Sequence, residues 1–69
     1  MTRPAFTARD GMVFDLCGEP FTIEQALLRA SIISDLSAEP TTYAPAMKRR
    51  LIEITTAIRA AEGQQKEAA

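Results

Sequence analysis

The segment Tyr43 to Glu62, YAPAMKRRLIEITTAIRAAE, is the longest run in the chain with a single period, and it limits the possible folds more than any other feature. Ala44, Met47, Leu51, Ile54, Ile58 and Ala61 recur at alternating steps of three and four, the spacing that stacks apolar side chains along one seam of a helix. The spacing predicts an amphipathic helix over 43–62. Pro45 suits the first turn, where an amide hydrogen has no intrahelical partner, and Gly63 stands where helices commonly stop in the left-handed conformation. A seam this narrow has to be covered by another element.

That element lies upstream. Gly18, Glu19 and Pro20 break the preceding structure, and Phe21-Thr22-Ile23-Glu24-Gln25 carries a helix start: Thr22 as N-cap, Gln25 reaching back in a capping box, Glu24 at the positive end of the helix dipole. Helix 1 is expected over 23–36. Wound at 100° per residue, its apolar residues form two sets. Ile23, Ala26, Leu27, Ala30 and Ile33 face one way; Leu28, Ile32 and Leu36 face nearly the opposite way. The connection from Ser37 to Thr42 is short enough to fold helix 2 back antiparallel on helix 1.

Before the helices, Ala5 to Ala8 and Met12 to Leu16 are short apolar runs flanking Arg9-Asp10-Gly11, a hairpin signal. A three-residue loop with Gly11 left-handed pairs Phe6 with Phe14 and Ala8 with Met12. It places Phe6, Ala8, Met12, Phe14 and Leu16 on one face. A two-residue loop sets Phe6 against Asp15, so the longer turn is preferred. The expected fold is therefore mostly α: an antiparallel two-helix hairpin preceded by a short β-hairpin or extended segment at 5–16. Residues 1–62 form one small domain, and 63–69, without periodicity, are expected to fray.

A chain of 69 residues buries only about 60% of its unfolded surface, so its core is small and help from a second chain is expected. The second face of helix 1 points the same way. A two-helix hairpin has no third layer for Leu28, Ile32 and Leu36, and burying each is worth about 1.5–3 kcal/mol. Either the N-terminal hairpin, a second copy or a partner covers them; a homodimer through these three residues is the expectation.

Charge is unevenly placed. Residues 10 to 39 hold six carboxylates against Arg29, a balance of −5, while residues 40 to 59 hold Lys48, Arg49, Arg50 and Arg59 against Glu53, a balance of +3. Complementary potentials of this kind steer encounters with a partner. On helix 2, Ile52 lies opposite the core seam, in line with Lys48 and Arg59. An apolar residue among long cationic side chains, with Arg49 beside it and Tyr43 near the helix start, is expected to contact a partner protein.

Chemistry is sparsely provided. The chain has one cysteine, Cys17, and no histidine, which removes an internal disulfide and the usual zinc and nucleophile pairings, so no metal and no cofactor are expected. The carboxylates are scattered over turns and helix edges, with no convergent pair for acid and base work. The chain is expected not to be an enzyme. No apolar run approaches the roughly 18 residues that span a bilayer, and no apolar signal core opens the sequence. A cytoplasmic location without membrane contact is expected. An overall acidic chain makes nucleic acid an unlikely partner.

Two resemblances bear on function. Strand, helix, short loop and helix over residues 12 to 62 resembles the ribbon-helix-helix repressors, which dimerise by pairing one strand from each chain and read DNA with that strand. Met12-Val13-Phe14-Asp15-Leu16-Cys17, however, offers no basic or amide side chain to a base edge, and Asp15 would repel phosphate. The chain's length, with FTIEQALLRASIISDL and YAPAMKRRLIEITTAIRAAE, is also similar to small bacteriophage accessory proteins that disable a host protein by binding it, in particular quorum-sensing anti-activators of Pseudomonas transposable phages. That resemblance implies a non-enzymatic dimer in the host cytoplasm. It would bind a LuxR-type transcription activator and interfere with the type IV pilus assembly ATPase. No binding residue is carried over from it. A ribbon-helix-helix-like regulator is the alternative, and a small virion component a third.

Overall fold

The computed structural model describes residues 4–40 and 42–68, without the side chains of 67 and 68. The elements run β1 (Phe6–Arg9), β2 (Met12–Asp15), β3 (Pro20–Phe21), α1 (Ile23–Ala38) and α2 (Ala44–Ala68). The fold is mostly helical: a helical hairpin with a small antiparallel sheet of order β1-β2-β3 packed against it.

The hairpin turn is shorter than expected. Asp10 and Gly11 both have positive φ, 56° and 77°, the pattern of a two-residue type I′ turn, whose twist matches that of the flanking strands. Phe6 therefore pairs with Asp15, Thr7 with Phe14, Ala8 with Val13 and Arg9 with Met12. The expected pairings of Phe6 with Phe14 and Ala8 with Met12 do not form. A slip of one residue exchanges the faces of a strand, and here it sends fully buried Val13 into the core in place of Met12 and Phe14. Phe14 instead lies on the outer face beneath the Arg9 guanidinium, 5.1 Å from its ring centre. Asp15 tolerates its place opposite Phe6 because it ends the strand. Its Oδ1 accepts the amides of Cys17 and Glu19, both at 2.9 Å, and closes the turn that follows.

That turn, with Gly18 at φ 82°, leads into a third strand that sequence patterning read as a break. Pro20 and Phe21 pair with Phe14 and Val13. A proline is acceptable there because β3 is an edge strand. The sheet thus owes its third strand to two residues standing immediately before a helix cap.

Helix α1 begins as the sequence indicates. The Gln25 amide donates to Thr22 Oγ1 at 3.2 Å and the Thr22 amide to Gln25 Oε1 at 3.0 Å, completing the capping box. The helix continues two residues beyond Leu36. Its inner face is narrower than expected: Ala26 and Ile33 are buried, Ile23 and Ala30 pack against the core, but Leu27 is 51% exposed. Leu27 lies roughly 100° round the helix from the line through Ala26 and Ile33, too far to reach α2.

Helix α2 contributes most of the core, with Ile54, Ala57, Ile58 and Ala61 buried and Met47 and Leu51 packed against them. It does not stop at Gly63. The helix runs through the glycine to Ala68, so residues 63–68 are ordered helix rather than a frayed tail, and Ala69 lies outside the described residues. Tertiary contacts compensate for the poor helix propensity of glycine. Gln64 Oε1 accepts the Gly11 amide at 2.9 Å, and Gln65 Nε2 donates to the Gly11 carbonyl at 3.2 Å. Nearer its start, Glu53 Oε2 accepts the Ala5 amide at 2.6 Å. Between Glu53 and Gln64, Ala57 and Ala61 present small side chains on the same side of the helix, so β1 can lie close along α2.

Candidate functional site

The outward side of α2 carries a cationic stripe around Ile52. Ile52 is 68% exposed. At 100° per residue, Lys48 and Arg59 fall within about 40° of it, while Arg49 is roughly 60° to one side. Tyr43 precedes the helix, 70% exposed, with its carbonyl accepting the Met47 amide at 2.9 Å. It stands about 13 Å from Ile52 along the axis. The structure thus gathers Lys48, Ile52 and Arg59 on one stripe, sets Arg49 at its flank and leaves Tyr43 at its end.

No described carboxylate forms an ion pair with the stripe. Among the described residues the only ion pair is Arg9 with Asp10, 3.9 Å apart and exposed. Glu53, the acidic residue closest in sequence to Ile52, turns away to hold the Ala5 amide. Thr56 donates its hydroxyl back to the Ile52 carbonyl at 2.8 Å, which satisfies that polar group and leaves the isoleucine side chain as the apolar centre of the patch.

A second surface lies on α1. Leu28, Ile32 and Leu36, spaced four apart, are 69%, 58% and 44% exposed. The β-hairpin does not cover them, because it packs chiefly along α2. Beside Leu28 and Ile32 a groove of about 380 Å³ opens between β3 and α1, lined also by Pro20, Phe21 and Arg29. Arg29 lies over the Phe21 ring at 5.2 Å, forming part of the groove wall. Exposed Leu27, which helical winding assigned to the packed side, widens the apolar character of α1. The signal that locates it is the pair Ala26 and Ile33, seven residues apart, which marks the centre of the buried arc.

The described residues contain no group of three or more His, Cys, Asp or Glu side chains able to hold a metal ion. Among the described residues no helix is long and apolar enough to cross a membrane. What both surfaces offer is apolar area with a charged or polar margin, the composition of small protein interfaces. No family model matches the chain, and neither a curated protein nor a solved structure matches it.

Proposed function

We propose that this chain is a small non-enzymatic inhibitor of the phage type, which acts in the host cytoplasm by binding and disabling a host protein. The partners that fit the resemblance of its helices are a LuxR-type quorum-sensing activator and the type IV pilus assembly ATPase. The observation that carries the reading is the Ile52 stripe: one exposed isoleucine within a set of cationic side chains that form no ion pair among the described residues, suited to an acidic protein surface with an apolar centre. Leu28, Ile32 and Leu36 supply the contact between two copies.

Sheet topology favours this over the ribbon-helix-helix alternative. In that architecture one strand from each chain pairs across the dimer, whereas β2 here lies between β1 and β3 with partners on both sides. Strand pairing through β2 would require β3 to be displaced.

The test is capture. Purified wild-type chain, mixed with a LuxR-type activator bound to its operator, should release the DNA and form a protein complex. Affinity for DNA alone should remain non-specific. Binding to operator DNA that weakens by orders of magnitude over a few-fold rise in salt, with no complex formed with the activator, would refute the proposal in favour of the DNA-binding alternative.

A further inference from the structure

Strand β1 is paired with β2 on one edge only. In an antiparallel hairpin closed by a two-residue turn, Arg9 and Met12 exchange backbone hydrogen bonds, so Phe6 and Ala8 direct their amide and carbonyl groups to the other edge. An edge of that kind is a template for a strand from another molecule unless it is covered or broken. The opposite margin of the sheet is already blunted, since β3 is only Pro20 and Phe21 and proline has no amide hydrogen to give.

The side chain of Gln64 bridges the β1 edge, at Ala8, and the turn, at Gly11. Its Nε2 donates to the Ala8 carbonyl at 3.4 Å, and its Oε1 accepts the Gly11 amide at 2.9 Å. A primary amide carries two N–H donors beside its carbonyl, and one of them fills the Ala8 carbonyl that the N–H of a neighbouring strand would otherwise take. At the far end, Glu53 takes the Ala5 amide. Gln65 is different: it donates to the Gly11 carbonyl, at the turn, and leaves the edge untouched.

We infer that Gln64 is an edge guard. The last turns of α2 deny β1 to the β1 strand of a second copy, confining self-association to surfaces other than the sheet. The occupant excluded is another copy of this chain, because a short strand ending in the same turn offers itself the same row of free groups in antiparallel register.

Two variants at Gln64 test this against one at Gln65. Gln64→Ala removes both contacts, and Gln64→Glu keeps an acceptor for the Gly11 amide but loses the donor to Ala8. Sedimentation over a wide concentration range should show both Gln64 variants forming species larger than any formed by the wild type, with Gln65→Ala sedimenting as the wild type does. In Gln64→Ala the Gly11 amide should also exchange with solvent about tenfold faster, the loss of one hydrogen bond at a locally opening site. Gln64 variants that sediment like the wild type, or a Gln65→Ala variant that associates as strongly as they do, would overturn the inference.

Discussion

Gly11 gives its amide to Gln64, 2.9 Å away, so the turn of the N-terminal hairpin is held by the far end of the last helix. The same glycine has φ 77°, and a Cβ placed on it would lie 2.7 Å from Gln65 Cγ.

Gly11→Ala should therefore lose stability on two counts. The left-handed conformation alone costs a residue with a side chain about 1–2 kcal/mol, and Gln65 must move from its hydrogen bond to make room. Gly18, at φ 82° with open space around it, gives the comparison. Thermal melting of Gly11→Ala and Gly18→Ala should show the larger loss at Gly11; equal losses would mean that the Gln65 contact contributes nothing.

Ile54, 1% exposed, is the largest fully buried side chain in the core. Ile54→Ala should cost about 2–5 kcal/mol, the range for truncating a buried aliphatic residue. Leu51 is only partly buried and should cost less. Urea unfolding of both variants checks the order, and a smaller loss at Ile54 than at Leu51 would contradict the packing described for α2.

The capping box makes a local prediction. Thr22→Ala removes the acceptor for the Gln25 amide and should cost about 1 kcal/mol, within the 0.5–2 range measured for such caps. Thr22→Asp, which retains an acceptor, should recover most of it. Melting temperatures of the pair decide the point.

Ile52→Asp should abolish binding of the partner while shifting stability by no more than about 0.5 kcal/mol, as expected for an exposed residue away from caps and core. Lys48→Glu should slow association and weaken its salt dependence more than it speeds dissociation, because charges at a margin steer encounter. Surface plasmon resonance at two ionic strengths separates these effects. Retained binding by folded Ile52→Asp would move the site to Leu28, Ile32 and Leu36.

Replacing Leu28, Ile32 and Leu36 together by Ser should convert a dimer to a monomer with the helical hairpin intact. Sedimentation at micromolar concentration gives the mass, and far-ultraviolet dichroism the helix content. A wild-type chain that sediments as a monomer would end the dimer proposal.

How far these features were legible in the sequence depends on how local their causes are. The capping box and the seam of α2 follow from contacts within four residues, and helical winding locates both. The exposed side chains of Ile52, Leu28, Ile32 and Leu36 follow from the same periodicity. The hairpin register was lost because the objection to Asp15 facing Phe6 ignored what Asp15 does beyond the strand, where its carboxylate takes two backbone amides. Strand β3 has too few residues to show any period. Helix α2 passes Gly63 for a reason no local pattern carries: Gln64 and Gln65 bind a turn near the other end of the chain. A faint sign was present, in that Glu53, Ala57, Ala61 and Gln64 recur on one side, small residues bracketed by two long polar ones.

The hydrogen bond from Gly11 to Gln64 spans 53 of the chain's 69 positions, and this governs how the molecule can be made. The hairpin and the capped start of α1 close short loops and can form within microseconds. Docking them on α2 closes a loop that is nearly the whole chain, a large entropic step with little to offset it until the last turn is in place. Until that docking is complete, Ala57 and Ala61, which the finished fold buries, stay bare along one side of α2.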